Sequence, residues 1–152
     1  MSFKTLSLVT LLILSSCTKN QPGDSNPKQR LVDYVAISFN MKDAADKTKL
    51  VGFLTGGAKN RLVAWSDEQF RLAFIDTKRE FLKLAIREIK SISSTETNIT
   101  YELSYLDQGR GADARVTNKR MCELVLENGV WYIKEVHNIK ELIEYKNELS
   151  VL

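Results

Sequence analysis

A chain of 152 residues with 43% hydrophobic side chains suits one folded domain, which at this size buries about two-thirds of its unfolded surface. Its net charge of +3 comes from basic and acidic residues mixed along the sequence, without the concentrated basic stripe of a nucleic-acid-binding protein. One histidine and two cysteines are too few for a structural zinc site or a disulfide framework, and no cofactor is expected.

The first 16 residues have the three parts of a secretory signal peptide. Lys4 supplies positive charge, Leu6–Leu14 forms a short apolar core, and small residues ending in Ser16 precede Cys17. An apolar core of about nine residues is too short to cross a membrane as a helix, which needs about twenty. We therefore expect cleavage between Ser16 and Cys17 rather than a permanent membrane span.

The sequence Leu14-Ser15-Ser16-Cys17 resembles the lipobox of bacterial lipoproteins, in which a branched apolar residue and two small residues precede a cysteine. This resemblance implies that the Cys17 thiol carries diacylglycerol and that the new amine is acylated with a fatty acid such as palmitate. Two or more acyl chains anchor a protein stably, whereas one does so only marginally. Thr18, where Asp would retain an enterobacterial lipoprotein in the inner membrane, implies the periplasmic face of the outer membrane. A plain secretory signal with an accidental cysteine is the alternative.

The segment Thr18–Lys28 is polar and contains Pro22, Gly23 and Pro27, which is typical of a flexible tether. A single folded domain is expected over residues 29–152. With Cys17 lipidated, Cys122 has no partner cysteine, and its alternating apolar neighbours predict a buried, unreactive thiol.

Apolar spacing predicts three helices in the first half of the predicted domain. The first covers about Gln29–Asn40, and the second starts near Asp43 and ends at Gly56-Gly57, which we interpret as a helix stop. The third begins at the capping box of Ser66 and Gln69, whose side chains can satisfy free backbone N–H groups at a helix start.

After Lys78 the apolar period changes to two, which predicts four strands. They are, in chain order, Leu82–Ile89, Ile99–Tyr105, Arg115–Leu126 and Val130–Val136. A break in the alternation predicts a β-bulge near Arg87 in the first strand. Asn128-Gly129 is a strong hairpin signal between the last two strands. The segment Lys140–Leu149 is predicted to form a terminal helix.

Helices followed by successive antiparallel strands predict an α+β fold, with N-terminal helices packed on a curved four-stranded sheet and a C-terminal helix added. The element order and the closing sequence NGVWYI resemble the nuclear transport factor 2-like superfamily over about Leu31–Val136. That resemblance implies a cone-like roll that encloses a pocket between helices and sheet. A cystatin-like arrangement, with one helix on a four-stranded sheet, is the close alternative.

Five residues are candidates for lining such a pocket, namely Tyr34, Tyr101, Tyr105, Asp107 and His137. Tyr101 and Tyr105 share strand parity, which favours core aromatics with their hydroxyls at the rim. Asp107 precedes a glycine-rich loop, which favours a turn residue. His137 lies at a predicted strand end, which favours a capping or surface position.

No catalytic or metal-binding motif is evident, so the preferred hypothesis is a binding or structural module of the cell envelope. Its expected partners are the membrane, through the lipid anchor, and either another envelope protein or a small apolar ligand. The alternative is a small enzyme of the ketosteroid isomerase-like type, with Asp107 or His137 as its acid–base group in an apolar pocket. That enzyme requires one of these side chains to face a closed cavity.

Overall fold

The computed structural model describes residues 26–145. The predicted signal peptide with Ser16, the lipidation site Cys17, and the tether up to residue 25 lie outside these residues, as does the end of the predicted terminal helix from residue 146. Of the residues described, no helix is both long and apolar enough to cross a membrane.

Four α-helices precede the sheet. They are α1 (Pro27–Ser38), α2 (Lys47–Val51), α3 (Gly56–Ala64) and α4 (Asp67–Phe74), with a 3₁₀ turn at Ala44–Asp46 leading into α2. The Asn26 side chain accepts hydrogen bonds from the backbone N–H groups of Lys28 at 2.9 Å and Gln29 at 3.4 Å. Because Asn26 caps α1 in this way, the helix begins within the segment predicted as tether.

The prediction that Gly56-Gly57 ends a helix is wrong, because these glycines begin α3. The preceding segment instead contacts the sheet: Thr55 N–H donates to the Ile133 carbonyl at 2.9 Å, and Ile133 N–H donates to the Phe53 carbonyl at 2.9 Å. Because Phe53 and Thr55 pair with Ile133 in this way, the chain does not continue as a helix after α2, which ends at Val51. Gly56 then starts the next helix at a φ of +53°, a backbone conformation that glycine adopts readily.

The predicted capping box is confirmed at the start of α4. Ser66 Oγ accepts from Gln69 N–H at 3.1 Å, and Gln69 Oε1 accepts from Ser66 N–H at 2.8 Å. This reciprocal pair satisfies two backbone donors that the helix itself leaves without partners.

Replacing Ser66 with alanine is expected to lower the free energy of unfolding by about 1 kcal/mol, because Gln69 N–H loses its acceptor. Urea unfolding followed by circular dichroism measures the change. Ser94→Ala, at an exposed serine in the turn after the first strand, is the control and should have almost no effect. Equal stability of the two variants would contradict a stabilising role for the cap.

The sheet has four strands in sequential order, each antiparallel to its neighbour, and it is curved but not closed. The strands are β1 (Arg79–Ser91), β2 (Glu96–Asp107), β3 (Ala114–Glu127) and β4 (Val130–Tyr145). The predicted α+β fold with helices on a curved antiparallel sheet is thereby confirmed. The predicted bulge is also present, because the β1–β2 register shifts between Ile86 and Glu88. Asn128 and Gly129 form the β3–β4 turn, with φ values of +51° and +81°.

The predicted C-terminal helix is wrong over Lys140–Tyr145, which continues β4. In this part Ile143 lies opposite Val116 and Tyr145 lies opposite Ala114. The physical reason is the length of β3, whose first half would otherwise present unpaired N–H and C=O groups along an edge. Extending β4 pairs those groups, which a short terminal helix would not do.

The core lies between the helices and the concave face of the sheet. Its fully or nearly fully buried side chains include Leu31, Leu50, Phe70, Ile99, Cys122, Leu124 and Ile133. Cys122 is completely buried, as predicted, and burial raises the pKa of its thiol well above the usual value. The thiolate that a nucleophile requires is therefore disfavoured at neutral pH.

Candidate functional site

A cavity of about 200 Å³ lies between the helices and the concave face of the sheet. Helices α1 and α4 and strands β1, β2 and β3 all contribute to its wall. Its lining consists of Tyr34, Val35, Ser38, Phe39, Trp65, Ala73, Phe74, Arg79, Tyr101, Leu103, Tyr105 and Arg120. Half of these side chains are aromatic and two are arginines, which is an unusual mixture for a plain hydrophobic core.

Three of the five sequence-derived candidates line this cavity. Tyr101 and Tyr105 point from β2 to the concave face and are 1% and 5% exposed, while Tyr34 comes from α1. Burial is the main cause that raises the pKa values of Tyr34 and Tyr101 above the usual phenol value. Both hydroxyls are therefore neutral at physiological pH and can donate a hydrogen bond into the cavity.

Arg79 is the first residue of β1, and its guanidinium lies among aromatic rings. The guanidinium carbon is 5.5 Å from the ring centroids of Phe39 and Phe74 and 5.7 Å from that of Tyr105. Such cation–π contacts favour a charged group over the ring faces. Its Nη2 donates to the Ala73 carbonyl at 2.7 Å, and its buried Nε has no acceptor.

Arg120 lies on β3 directly opposite Tyr101. With the Asn118 amide oriented to satisfy its neighbours, Asn118 Oδ1 accepts from Arg120 Nη2 at 3.2 Å and from Tyr105 Oη at 3.3 Å. In the same orientation Asn118 Nδ2 donates to Glu141 Oε2 at 2.9 Å. Arg120 also hydrogen bonds to the Tyr101 side chain, while its buried Nε has no acceptor among the described residues, so these partners of its guanidinium are a neutral amide and a neutral phenol.

Neither Arg79 nor Arg120 has a counter-ion among the described residues. Within residues 26–145, no carboxylate lies within 4.0 Å of either Arg79 or Arg120. By contrast, Arg61, Arg87 and Arg110 each pair with a glutamate. A buried donor without an acceptor costs roughly 1–3 kcal/mol, and more when it is charged. The cavity therefore carries net positive charge and exposes hydrogen-bond donors.

Asp107 does not line the cavity. Its Oδ1 accepts from Gly109 N–H at 3.1 Å, and its Oδ2 pairs with Arg110 Nε at 3.2 Å. These contacts use the carboxylate to hold the β2–β3 turn, which is the role that the glycine-rich loop favours.

His137 is exposed and also lies away from the cavity. Its Nε2 is 2.9 Å from Glu123 Oε1 on the neighbouring strand. A shift of the β3–β4 register between Glu123 and Leu124 changes the parity of β4 at this point. As a result Val136 lies opposite buried Cys122. Strict alternation would have placed His137 on the same inner face as Ile133, but the register shift places it on the outer face.

A larger groove of about 540 Å³ runs between α1 and β1, and it shares Val35 and Phe39 with the cavity wall. The rest of its lining is mostly apolar, with Asn40 and Lys83 as its polar side chains. Binding sites usually combine an apolar wall with convergent polar groups. The cavity presents two guanidinium groups and three phenol hydroxyls, whereas the groove presents one lysine and one amide that already donates to the Ala36 carbonyl, so the cavity is the candidate site.

Sequence reasoning missed both arginines. Arg120 has the strand parity of Cys122 and Leu124, so the alternation that placed those residues inside also placed Arg120 inside. Arg79 had no comparable signal, because the rings around it come from the residue after α1, from α4 and from β2. Among the described residues, no group of three histidine, cysteine or acidic side chains could hold a metal ion.

Comparison with known proteins supports the fold. No family model matches this chain, and a search of curated proteins found no match. Among solved structures, the chain is similar to a SEC-C motif containing protein from Rhodopseudomonas palustris, with a TM-score of 0.58 and 13% sequence identity. The similarity covers 78% of this chain and 82% of that one. At this identity the likeness concerns the fold alone.

Proposed function

We propose that this chain is a lipid-anchored lipoprotein of the cell envelope, with a nuclear transport factor 2-like domain that binds a small ligand. The lipobox Leu14–Cys17 supports the anchor, and Thr18 supports the outer membrane as its location. The polar residues between Cys17 and the Asn26 cap are long enough to let the domain stand away from the lipid surface.

The observation that carries the binding role is the cavity with its two arginines and no counter-ion. Each of the two guanidinium groups has a buried Nε–H without an acceptor among the described residues, which is unfavourable unless something else satisfies it. Both of these N–H groups belong to side chains that line one cavity, where two helices and three strands meet. A bound molecule would supply the missing acceptors.

The same geometry favours binding over proton-transfer catalysis. An enzyme of the ketosteroid isomerase-like type needs a carboxylate or imidazole base within hydrogen-bond reach of its substrate. The lining residues within the described part of the chain include neither group, and Asp107 and His137 are engaged elsewhere. The tyrosines and arginines that are present can orient a ligand and stabilise its charge.

Replacing Cys17 with alanine is expected to abolish incorporation of radiolabelled palmitate and to leave the signal peptide uncleaved. The physical reason is the loss of the thiol that accepts diacylglycerol. The matched control is Cys122→Ala, which removes the other cysteine of the chain and should leave labelling intact. Labelling that persists in Cys17→Ala, or that depends on Cys122, would refute the anchor.

The binding role is tested on the full-length protein extracted with a mild detergent. Native mass spectrometry should show a small molecule bound to the folded protein and released on denaturation. Complete absence of a bound molecule, together with no response to the probes described below, would refute a binding module.

A further inference from the structure

We propose that the cavity binds a small carboxylate with a flat apolar body, and that Arg79 and Arg120 hold the carboxylate group. This proposal rests on the binding role proposed above and deepens it by naming the chemistry of the ligand. It differs from a purely apolar ligand, because an apolar molecule would leave the buried Nε–H groups of Arg79 and Arg120 without an acceptor.

The first support is that the charges of Arg79 and Arg120 both act on the hydroxyl of Tyr34. The positive charges of Arg120 and Arg79 both lower the pKa of Tyr34, against a larger rise caused by burial and by Cys122. Tyr34, Arg79 and Arg120 also line the same cavity. An anion beside this hydroxyl would interact with the two charges together.

The second support is the supply of donors. A guanidinium is planar and presents paired N–H groups that match the two oxygens of a carboxylate. Arg120 lies opposite Tyr101, whose neutral hydroxyl can donate a further hydrogen bond. Among residues 26–145, no carboxylate lines the cavity and would compete with a bound anion.

The third support is the size and wall of the cavity. About 200 Å³ is the space of roughly six or seven water molecules, at about 30 Å³ each. This volume admits a single small ring or a short chain and excludes a long acyl chain. The rings of Tyr34, Phe74 and Tyr105 line it, and such surfaces pack well against a flat apolar body.

Three probes of different chemistry test the proposal by isothermal titration calorimetry of the detergent-purified full-length protein. Benzoate carries both the carboxylate and the flat body, benzamide has the same shape without charge, and inorganic phosphate has charge without the body. We expect benzoate to bind at least about tenfold more tightly than either of the others, since a charge-assisted bidentate contact contributes about that factor or more.

Each other pattern of binding overturns the proposal. Equal binding of benzamide and benzoate would show that the cavity binds a ligand without recognising charge, which leaves the binding role standing. Tighter binding of phosphate would show an anion site without the apolar body. Absence of binding by all three, together with no molecule in native mass spectra, would overturn the ligand class and the binding role.

Single substitutions then test whether each arginine binds the carboxylate of the ligand. Arg120→Gln and Arg79→Gln are each expected to weaken benzoate binding by about tenfold or more and to leave benzamide binding unchanged. The matched control is Arg115→Gln, on the same strand as Arg120 but exposed and outside the cavity lining, and it should leave both probes unaffected.

A stability readout separates ligand binding from a purely structural role. Arg120 has no carboxylate partner in the part of the chain that the structure describes, so Arg120→Gln should leave the melting temperature of the ligand-free protein unchanged or raised. Benzoate should then raise the melting temperature of the wild type and not that of the variant. Unchanged benzoate binding in a folded Arg120→Gln protein would overturn the assignment.

Discussion

Replacing Phe70 with alanine is expected to lower the free energy of unfolding by about 3–5 kcal/mol, a large part of the stability of a domain this size. Phe70 is completely buried and is the one buried residue of α4. Its ring stacks on Phe74 with centroids 5.0 Å apart, and Phe74 in turn lies 6.1 Å from Trp65. Removing the ring leaves a cavity beneath the helix and deprives Phe74 of its support.

The control is Leu72→Ala, on the same helix at a side chain that is 57% exposed, and it should change stability by less than about 0.5 kcal/mol. Urea unfolding followed by circular dichroism compares the two variants. Because Ala73 and Phe74 line the ligand cavity, Phe70→Ala should also weaken benzoate binding under conditions where the variant is still folded. If Phe70→Ala and Leu72→Ala were equally stable, the packing of α4 described above would be incorrect.

The features predicted well from sequence depend on residues close together in the chain. The capping box needs only Ser66 and Gln69, and the hairpin turn needs only Asn128 and Gly129. The bulge near Arg87 is also local, since it is visible as one slip in the alternation of a single strand. Short-range geometry determines each of these, so the sequence pattern is sufficient.

The features predicted wrongly depend on distant partners. Gly56-Gly57 begins a helix because Thr55 hydrogen bonds to Ile133, which is far away in sequence. The last residues of β4 form a strand because the long β3 lies beside them. In both places the local pattern was compatible with the prediction, and tertiary hydrogen bonding decided the outcome.

The residues of the candidate site also differ in whether a local sequence pattern could place them. Strand parity alone places Tyr101 and Tyr105 inside, and it also places Arg120 on the face of buried Cys122, although a charged side chain is ordinarily found facing solvent. The position of Arg79 depends on rings from three separate parts of the chain, which no pattern within β1 reveals. His137 shows the limit of parity, since one register shift moved it to the outer face.

Raising the pH above about 9 is expected to destabilise the protein steeply, because Cys122 and Tyr101 are buried, and Tyr34 is partly buried, in their neutral forms. Burial raises the pKa of each group above its ordinary value, which is 9.0 for the thiol and 10.0 for the phenols. Once the pH passes these ordinary values, the unfolded chain releases protons that the folded protein retains. The unfolded state then binds fewer protons, so the free energy of unfolding falls as the pH rises.

Proton linkage gives the size of this loss of stability, and substitutions show how much each of the three groups contributes to it. Each group contributes at most about 1.4 kcal/mol per pH unit, so the three together set a ceiling of roughly 4 kcal/mol per pH unit. Urea unfolding between pH 7 and pH 11 measures the slope. Tyr101→Phe and Cys122→Ala should each reduce it, and Cys122→Ala should also move its onset from about pH 9 towards pH 10. Tyr145→Phe, at a tyrosine that is 39% exposed, is the matched control and should leave the slope unchanged.

A slope that is the same in all three variants would mean that groups outside the core cause the alkaline unfolding. A reduced slope in Tyr101→Phe would establish that its hydroxyl stays neutral in the folded cavity, as a hydrogen-bond donor to a bound carboxylate must.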